Sequence, residues 1–284
     1  GIFYFSATDK NQAEDVKISS AAVKPWIEVV APVVFELDSS AHTQIRELKT
    51  GDELNPGITV ETGKNAKANI YFPDGSVARL ESATQLTLQE AAFDPQSEKL
   101  IVKIRLTAGR VWSKIISLAT PDSLWEVKTS NAVATVRGTA FGVVFADGTS
   151  QILGSEHAIA VAVIDPKTKN VIPGTEKILL TDQLLEVKDK DIPAIQANPA
   201  LVTTRAIPAA LAGEDFIQKN READSRLNQK LEELEKTGLD NKESRHKFRE
   251  SIIKEFLPEI QSRKAEPEVA TENTKTEREI SLPI

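Results

Sequence analysis

The chain has 284 residues, of which 40% are hydrophobic and only 5% aromatic, with a formal net charge of −7 at pH 7. That length and apolar content support one sizeable core with an appendage, or two domains. The acidic balance argues against nucleic acid as a partner, because no cationic surface is on hand to neutralise phosphates. The absence of cysteine excludes disulfides, zinc-thiolate sites and cysteine nucleophiles.

Methionine is absent too, so the chain is expected to be processed, truncated, or stripped of its initiator ahead of Gly1. Gly1-Ile2-Phe3-Tyr4-Phe5 is apolar but too short to span a bilayer. It reads either as the stump of a membrane anchor upstream of Ser6 or as an ordinary first strand. Residues 8–24 are polar and predict a flexible lead-in, so that residues 1–25 precede the main body.

From Trp26 to residue 188 the chain becomes a series of short strand-like segments parted by turn residues, and its aliphatic content favours strands. Leu86 and Leu88 alternate with Gln85, Thr87 and Gln89. Leu100, Val102, Ile104 and Leu106 alternate with Lys99, Ile101, Lys103 and Arg105, so each strand is predicted to bury one face. Asp74-Gly75 and Asp147-Gly148 predict hairpins, because both residue types tolerate positive φ. The same turn chemistry accounts for these aspartates better than metal binding or catalysis does.

Residues 189–208, with Pro193, Pro199 and Pro208, lack periodicity and predict a linker or an extended strap over the β body. Composition then shifts to helix formers. One helix is predicted over 209–236, with Leu227, Leu231 and Leu234 at helical spacing and Gly238 as its stop. A second is predicted from Asp240, where Asp240 and Glu243 have capping-box spacing and Phe248, Ile252 and Phe256 form a stripe that Pro258 disturbs. Together they predict a helical hairpin over 209–263. Its leucine stripe either packs on the chain's own β body or contacts a partner. Three leucines at about 1.5–3 kcal/mol each do not convincingly offset an association cost of roughly 4–15 kcal/mol, which disfavours a free-standing dimer. Residues 264–284 predict a disordered tail.

His42, His157 and His246 lie in three separate regions without ligand or triad spacing. No phosphate-binding glycine loop, Gly-x-Ser-x-Gly elbow or His-Glu-x-x-His helix occurs. Neighbouring acids such as Asp52 with Glu53, or Glu81 with Glu90, are more simply strand-end charges than a glycosidase pair. No catalytic, metal-binding or cofactor-binding residue is assigned, and no cofactor is expected.

At its glycine punctuation the stretch from about Val34 to Val187 resembles the FecR domain family. The resemblance is carried by Leu48 to Gly51-Asp52, then Val60-Glu61-Thr62-Gly63, then Tyr71-Phe72-Pro73-Asp74-Gly75-Ser76. Leu106-Thr107-Ala108-Gly109-Arg110-Val111-Trp112 and Ala134-Thr135-Val136-Arg137-Gly138-Thr139-Ala140-Phe141 complete it, the last being similar to the family's Val-Arg-Gly-Thr-x-Phe signature. Gly63, Gly75 and Gly109 read as reversals between strands. Gly63, Asp74, Gly75, Gly109, Gly138, Thr139 and Phe141 read as structural, and Arg137 either as a charge that bonds neighbouring carbonyls or a carboxylate or as a recognition residue.

The resemblance implies a β-roll or β-solenoid domain over the mainly β residues 26–188, while the predicted helical hairpin that follows departs from the plan of the family's best-known members. It also implies an extracytoplasmic, non-catalytic protein of the bacterial cell envelope. The leading expectation is an interaction or scaffolding protein that meets a protein partner. The alternatives are a transmembrane signalling regulator of the anti-sigma type lacking its cytoplasmic part, and a glycan-binding module. The last would require an exposed aromatic cleft, whereas Trp112 and Trp125 lie in strand-like segments and are predicted to be core.

Overall fold

The computed structural model describes residues 24–38, 40–116, 123–136, 138–238 and 241–265. The N-terminal pentad, the lead-in, Arg137, Asp240 and the tail from residue 266 lie outside the described residues, as does the Phe256 side chain.

The fold is mainly β, as the alternation predicts. Its longest strand, β8 (Lys99–Lys114), shows why. Leu100, Val102, Ile104 and Leu106 are each 0% exposed, while the residues between them face outward or are half-buried. In its first half β8 pairs antiparallel with β7 (Gln85–Asp94) and parallel with β9 (Leu124–Lys128). In its second half it pairs with β6 (Val77–Leu80) and β11 (Ala140–Ala146). One strand thus belongs to two sheets.

The first sheet continues from β7 through β4 (Thr59–Thr62) and β2 (Val34–Leu37) to the edge strand β3 (Gln44–Glu47). From β9 it runs through β10 (Ala132–Val136) and β13 (Ile159–Val163) to β14 (Lys177–Leu179). The second runs from β6 through β5 (Lys67–Tyr71) to β1 (Trp26–Ala31). On its other side it runs from β11 through β12 (Thr149–Gly154) and β15 (Gln183–Lys188) to β16 (Thr204–Ala206). Their inner faces share one aliphatic core, in which Phe72 meets Trp125 edge-on at 4.6 Å between ring centroids.

The crossing point is Gly109. The sequence predicts a reversal there, but the chain runs straight through it with φ +93°. A Cβ at this position would stand 2.4 Å from Thr84 Oγ1 and 2.5 Å from Thr84 Cα. The reason is the close approach of the 83–84 backbone, where Thr84 Oγ1 accepts from Arg110 N at 3.0 Å as the strand changes sheets.

Both Asp-Gly pairs form hairpins as predicted. Asp147 and Gly148 take φ of 49° and 68°, the pairing that matches strand twist. At 73–75 only Gly75 is left-handed, at φ +91°, following a turn closed by Gly75 N donating to Phe72 O at 2.9 Å.

The proline-containing stretch is built into the body. It forms helix α1 (Ile192–Ala197) and edge strand β16, and Ile192, Ile195 and Val202 enter the main core. The single helix predicted over 209–236 is broken into α2 (Ala209–Ala212) and α3 (Asp215–Glu235). The break falls at Gly213, a weak helix former. Beyond it Phe216 and Ile217 turn onto Trp112, Leu153 and Leu184. Helix α4 (Asn241–Ala265) runs on through Pro258, where the sequence predicts an interruption.

A candidate interaction site where the helices meet the strand body

Helices α3 and α4 lie against the β body through charged side chains that burial has left few alternatives. Asp224 on α3 is 2% exposed. Its Oδ1 accepts from Arg79 Nη1 at 2.6 Å and its Oδ2 from the Trp112 indole N–H at 2.8 Å. Burial raises the Asp224 carboxyl above its ordinary value, against the opposing charge of Arg79 and the bond from Trp112. Arg110 reaches Glu214 at 2.7 Å beside these, over the face of Phe216.

Helix α4 is held at Glu98, a 5% exposed residue in the β7–β8 turn. Arg249 Nη1 donates to one of its oxygens at 2.8 Å and Arg245 Nη2 to the other at 2.6 Å. Burial pushes the Glu98 carboxyl up, but the two guanidiniums outweigh it and hold the group below the usual carboxylate range. Replacing Glu98 by glutamine leaves two cations short of a counter-charge. The expected cost is about 2–3 kcal/mol, below that of a fully buried pair because Arg245 keeps partial solvent contact. It should appear as about 30- to 150-fold faster amide exchange over residues 244–252.

Between these two arginines Phe248 sits on the 73–76 turn. A Cβ on Gly75 would stand 2.9 Å from the Phe248 ring, so the glycine serves the helix contact as well as the turn. Asp74 beneath accepts from Ser76 N at 2.9 Å and Ser76 Oγ at 2.6 Å, and Ser76 Oγ in turn accepts from Ile116 N at 3.0 Å. Burial lifts the Asp74 carboxyl to about 6, opposed by the Ser76 bonds and the Arg249 charge. The folded chain therefore keeps this proton over a range in which the unfolded chain, titrating near 3.8, has lost it. The stabilisation is complete below the unfolded value and is lost as pH rises through about 6, a change of roughly 3 kcal/mol. Urea melts between pH 4 and 7 should show this decline, and Asp74→Asn should flatten it.

The other residues singled out in the sequence spread over the body. Gly63 turns the chain between β4 and β5, and Phe141 is a 0% exposed core residue. Gly138 and Thr139 line a cavity of about 410 Å³ between the body and α3, with Lys114, Glu156 and Leu231. Thr139 Oγ1 donates to Glu156 O there, and Lys114 pairs with Glu156. Leu227, Leu231 and Leu234 pack against a small cluster of Trp26, Ile116, Phe248 and Ile252 in their own chain. The sequence pattern does not pair Asp224 or Glu98 with the residues that reach them. The one signal it holds is Arg245 and Arg249, one helical turn apart, flanking Phe248.

The family described as FecR protein matches residues 58–164. Those residues are a FecR domain. The FecR match runs from β4 to β13 and takes in the 73–76 turn, Glu98, Gly109 and the Gly138-Thr139 pair, while α3 and α4 lie beyond it. Two crystal structures of a candidate anti-sigma factor from Parabacteroides distasonis ATCC 8503 align at 13% and 14% identity. Each alignment covers 54% of this chain and 61% of that one, with a TM-score of 0.39. The chain thus spans about three fifths of that protein, and a likeness of this degree adds nothing to the FecR match. No curated protein matches the chain. Among the described residues no helix is long and apolar enough to cross a membrane, and no group of three or more acidic or histidine side chains is placed to hold a metal ion.

Proposed function

We propose that this FecR-domain chain is a non-enzymatic, extracytoplasmic regulatory protein that acts by binding a protein partner in the cell envelope. In this reading residues 26–188 are a roll-like or solenoid-like scaffold, 189–208 connect it to the helices, and the hairpin of α3 and α4 presents the surface a partner meets. An anchor upstream of Ser6 would tether it to the cytoplasmic membrane. The FecR match over the body that holds both helices carries the proposal.

A protein partner is favoured over a glycan by the tryptophans. Trp26, Trp112 and Trp125 are 3%, 0% and 0% exposed, so none offers a face for a sugar ring. Photo-crosslinking tests the proposal, with the reactive side chain at the exposed His246 of α4 and a control at Ser40. The expected result is a discrete protein adduct from His246 in the envelope fraction. Adducts confined to the cytosol, or to polysaccharide, would refute it.

A further inference from the structure

We infer that the FecR body carries a groove that recognises a helix with two cations bracketing a phenylalanine, and that α4 fills this groove in cis as a displaceable stand-in for a partner's helix. The inference rests on the reading of the chain as an interaction protein and adds, beside the hairpin surface, a second binding site beneath α4.

The groove contacts α4 at Arg245, Phe248, Arg249 and Ile252. That spacing of i, i+3, i+4 and i+7 is one face of a helix laid in a groove. Each anchor has a dedicated receptor. Glu98 takes both arginines, and the guanidinium of Arg249 also lies 5.7 Å from the centre of the Phe93 ring. Gly75 leaves the room that the Phe248 ring occupies. Ile252 enters a recess lined by Trp26, Tyr71 and Phe72 that retains a void of only about 10 Å³. The fit is close and the charges are complementary.

The contact is also separable from the rest of the protein. Phe248 and Ile252 belong to a satellite cluster with Trp26 and Ile116, against which Leu227, Leu231 and Leu234 of α3 pack, distinct from the main core and from the Trp112–Phe216 cluster. A satellite of this size can open without opening the body. When α4 leaves, Glu98 is left as a partly buried carboxylate facing an apolar trough, which selects a cationic, aromatic-bearing helix over an acidic one. The occupant in trans is therefore a helix of a partner protein repeating the Arg-x-x-Phe-Arg-x-x-Ile pattern. A second copy exchanging its own α4 is the competing outcome.

A fluorescein-labelled synthetic peptide of residues 241–265 serves as the probe, titrated against the full chain by anisotropy. In the wild-type chain α4 competes for the groove. In Phe248→Ala/Arg249→Ala the cis helix is weakened, the competent fraction rises, and the peptide should bind at least about tenfold more tightly. Adding Glu98→Gln to that chain should weaken the peptide by about tenfold or more, since the charge that assists the bonds from both arginines is lost. Hydrogen exchange at β8 confirms that each variant keeps its body, and the single Arg249→Ala variant replaces the double one if β8 protection is lost. Three outcomes overturn the inference. They are no peptide binding while α4 amides are exposed and β8 is protected, binding indifferent to Glu98→Gln, and α4 amides that stay protected in the double variant. Dimers of the wild-type chain that exclude the peptide assign the groove to a second copy and overturn the partner-helix assignment. The His246 crosslink reports on partner binding independently of the peptide, so either reading can fail without the other.

Discussion

Gly109→Ala is expected to lower unfolding free energy by about 2–5 kcal/mol, a large fraction of the roughly 5–15 kcal/mol that a domain possesses. Two effects add. A side chain at φ +93° costs about 1–2 kcal/mol for the left-handed conformation alone. The added methyl also falls within 2.7 Å of Ala83 O and closer still to Thr84. Ala83 O and Thr84 Cα are backbone atoms that cannot rotate aside, and overpacking of that kind costs about 1–3 kcal/mol or more. Gly57 separates the two contributions. It has φ +92°, and a Cβ there would meet nothing within 4 Å, so Gly57→Ala should show only the conformational cost. Urea denaturation of both variants measures the difference. Equal midpoints would mean that the approach of β8 to Thr84 is not what makes glycine necessary where the strand changes sheets.

Asp224→Ala carries an effect of similar size by a different route. It leaves the Arg79 guanidinium, 14% exposed at its side chain, with the 3.4 Å bond to Asn220 Oδ1 in place of its ion pair, and the buried Trp112 indole N–H without its acceptor. Removing one partner of a buried pair costs about 3–5 kcal/mol, mostly because the remaining charge stays desolvated. Replacing both charges, as Asp224→Leu with Arg79→Met, should recover all but about 1–3 kcal/mol, the residue being the unpaired indole. The readouts are the urea midpoint and the emission of Trp112, whose surroundings become less polar in the double variant. A single variant no less stable than the wild type would show that α3 is held by Phe216 and Ile217 alone.

The strand body is legible because its signals are local. Alternation over 100–106 shows the buried face of β8 without reference to its neighbours, and Asp147-Gly148 specifies its hairpin by backbone preference. Gly109 reads as a reversal for the same reason. A left-handed glycine inside a continuing strand looks like a turn until the 83–84 backbone beside it is known. The break at Gly213 and the passage of α4 through Pro258 likewise depend on what the flanking residues pack against. The clasp is the least legible part. Arg79 and Asp224 are 145 residues apart in the chain, and nothing in the surroundings of either one names the other. Glu98 looks like an ordinary turn acid from its neighbours, yet in the folded chain two arginines from α4 close over it.

Native-state hydrogen exchange of the full chain is the most direct test that the C-terminal helices are a docked part of the strand body. Amides of 216–224 in α3 should exchange with the body, on the timescale of β8. Those of 244–252 in α4 should be protected but open earlier, together, and sooner still in Glu98→Gln. Amides of 244–252 exchanging at unprotected rates in the wild-type chain while β8 stays protected would contradict this, because α4 would then not rest on the 73–76 turn and the body would hold no clasped helix.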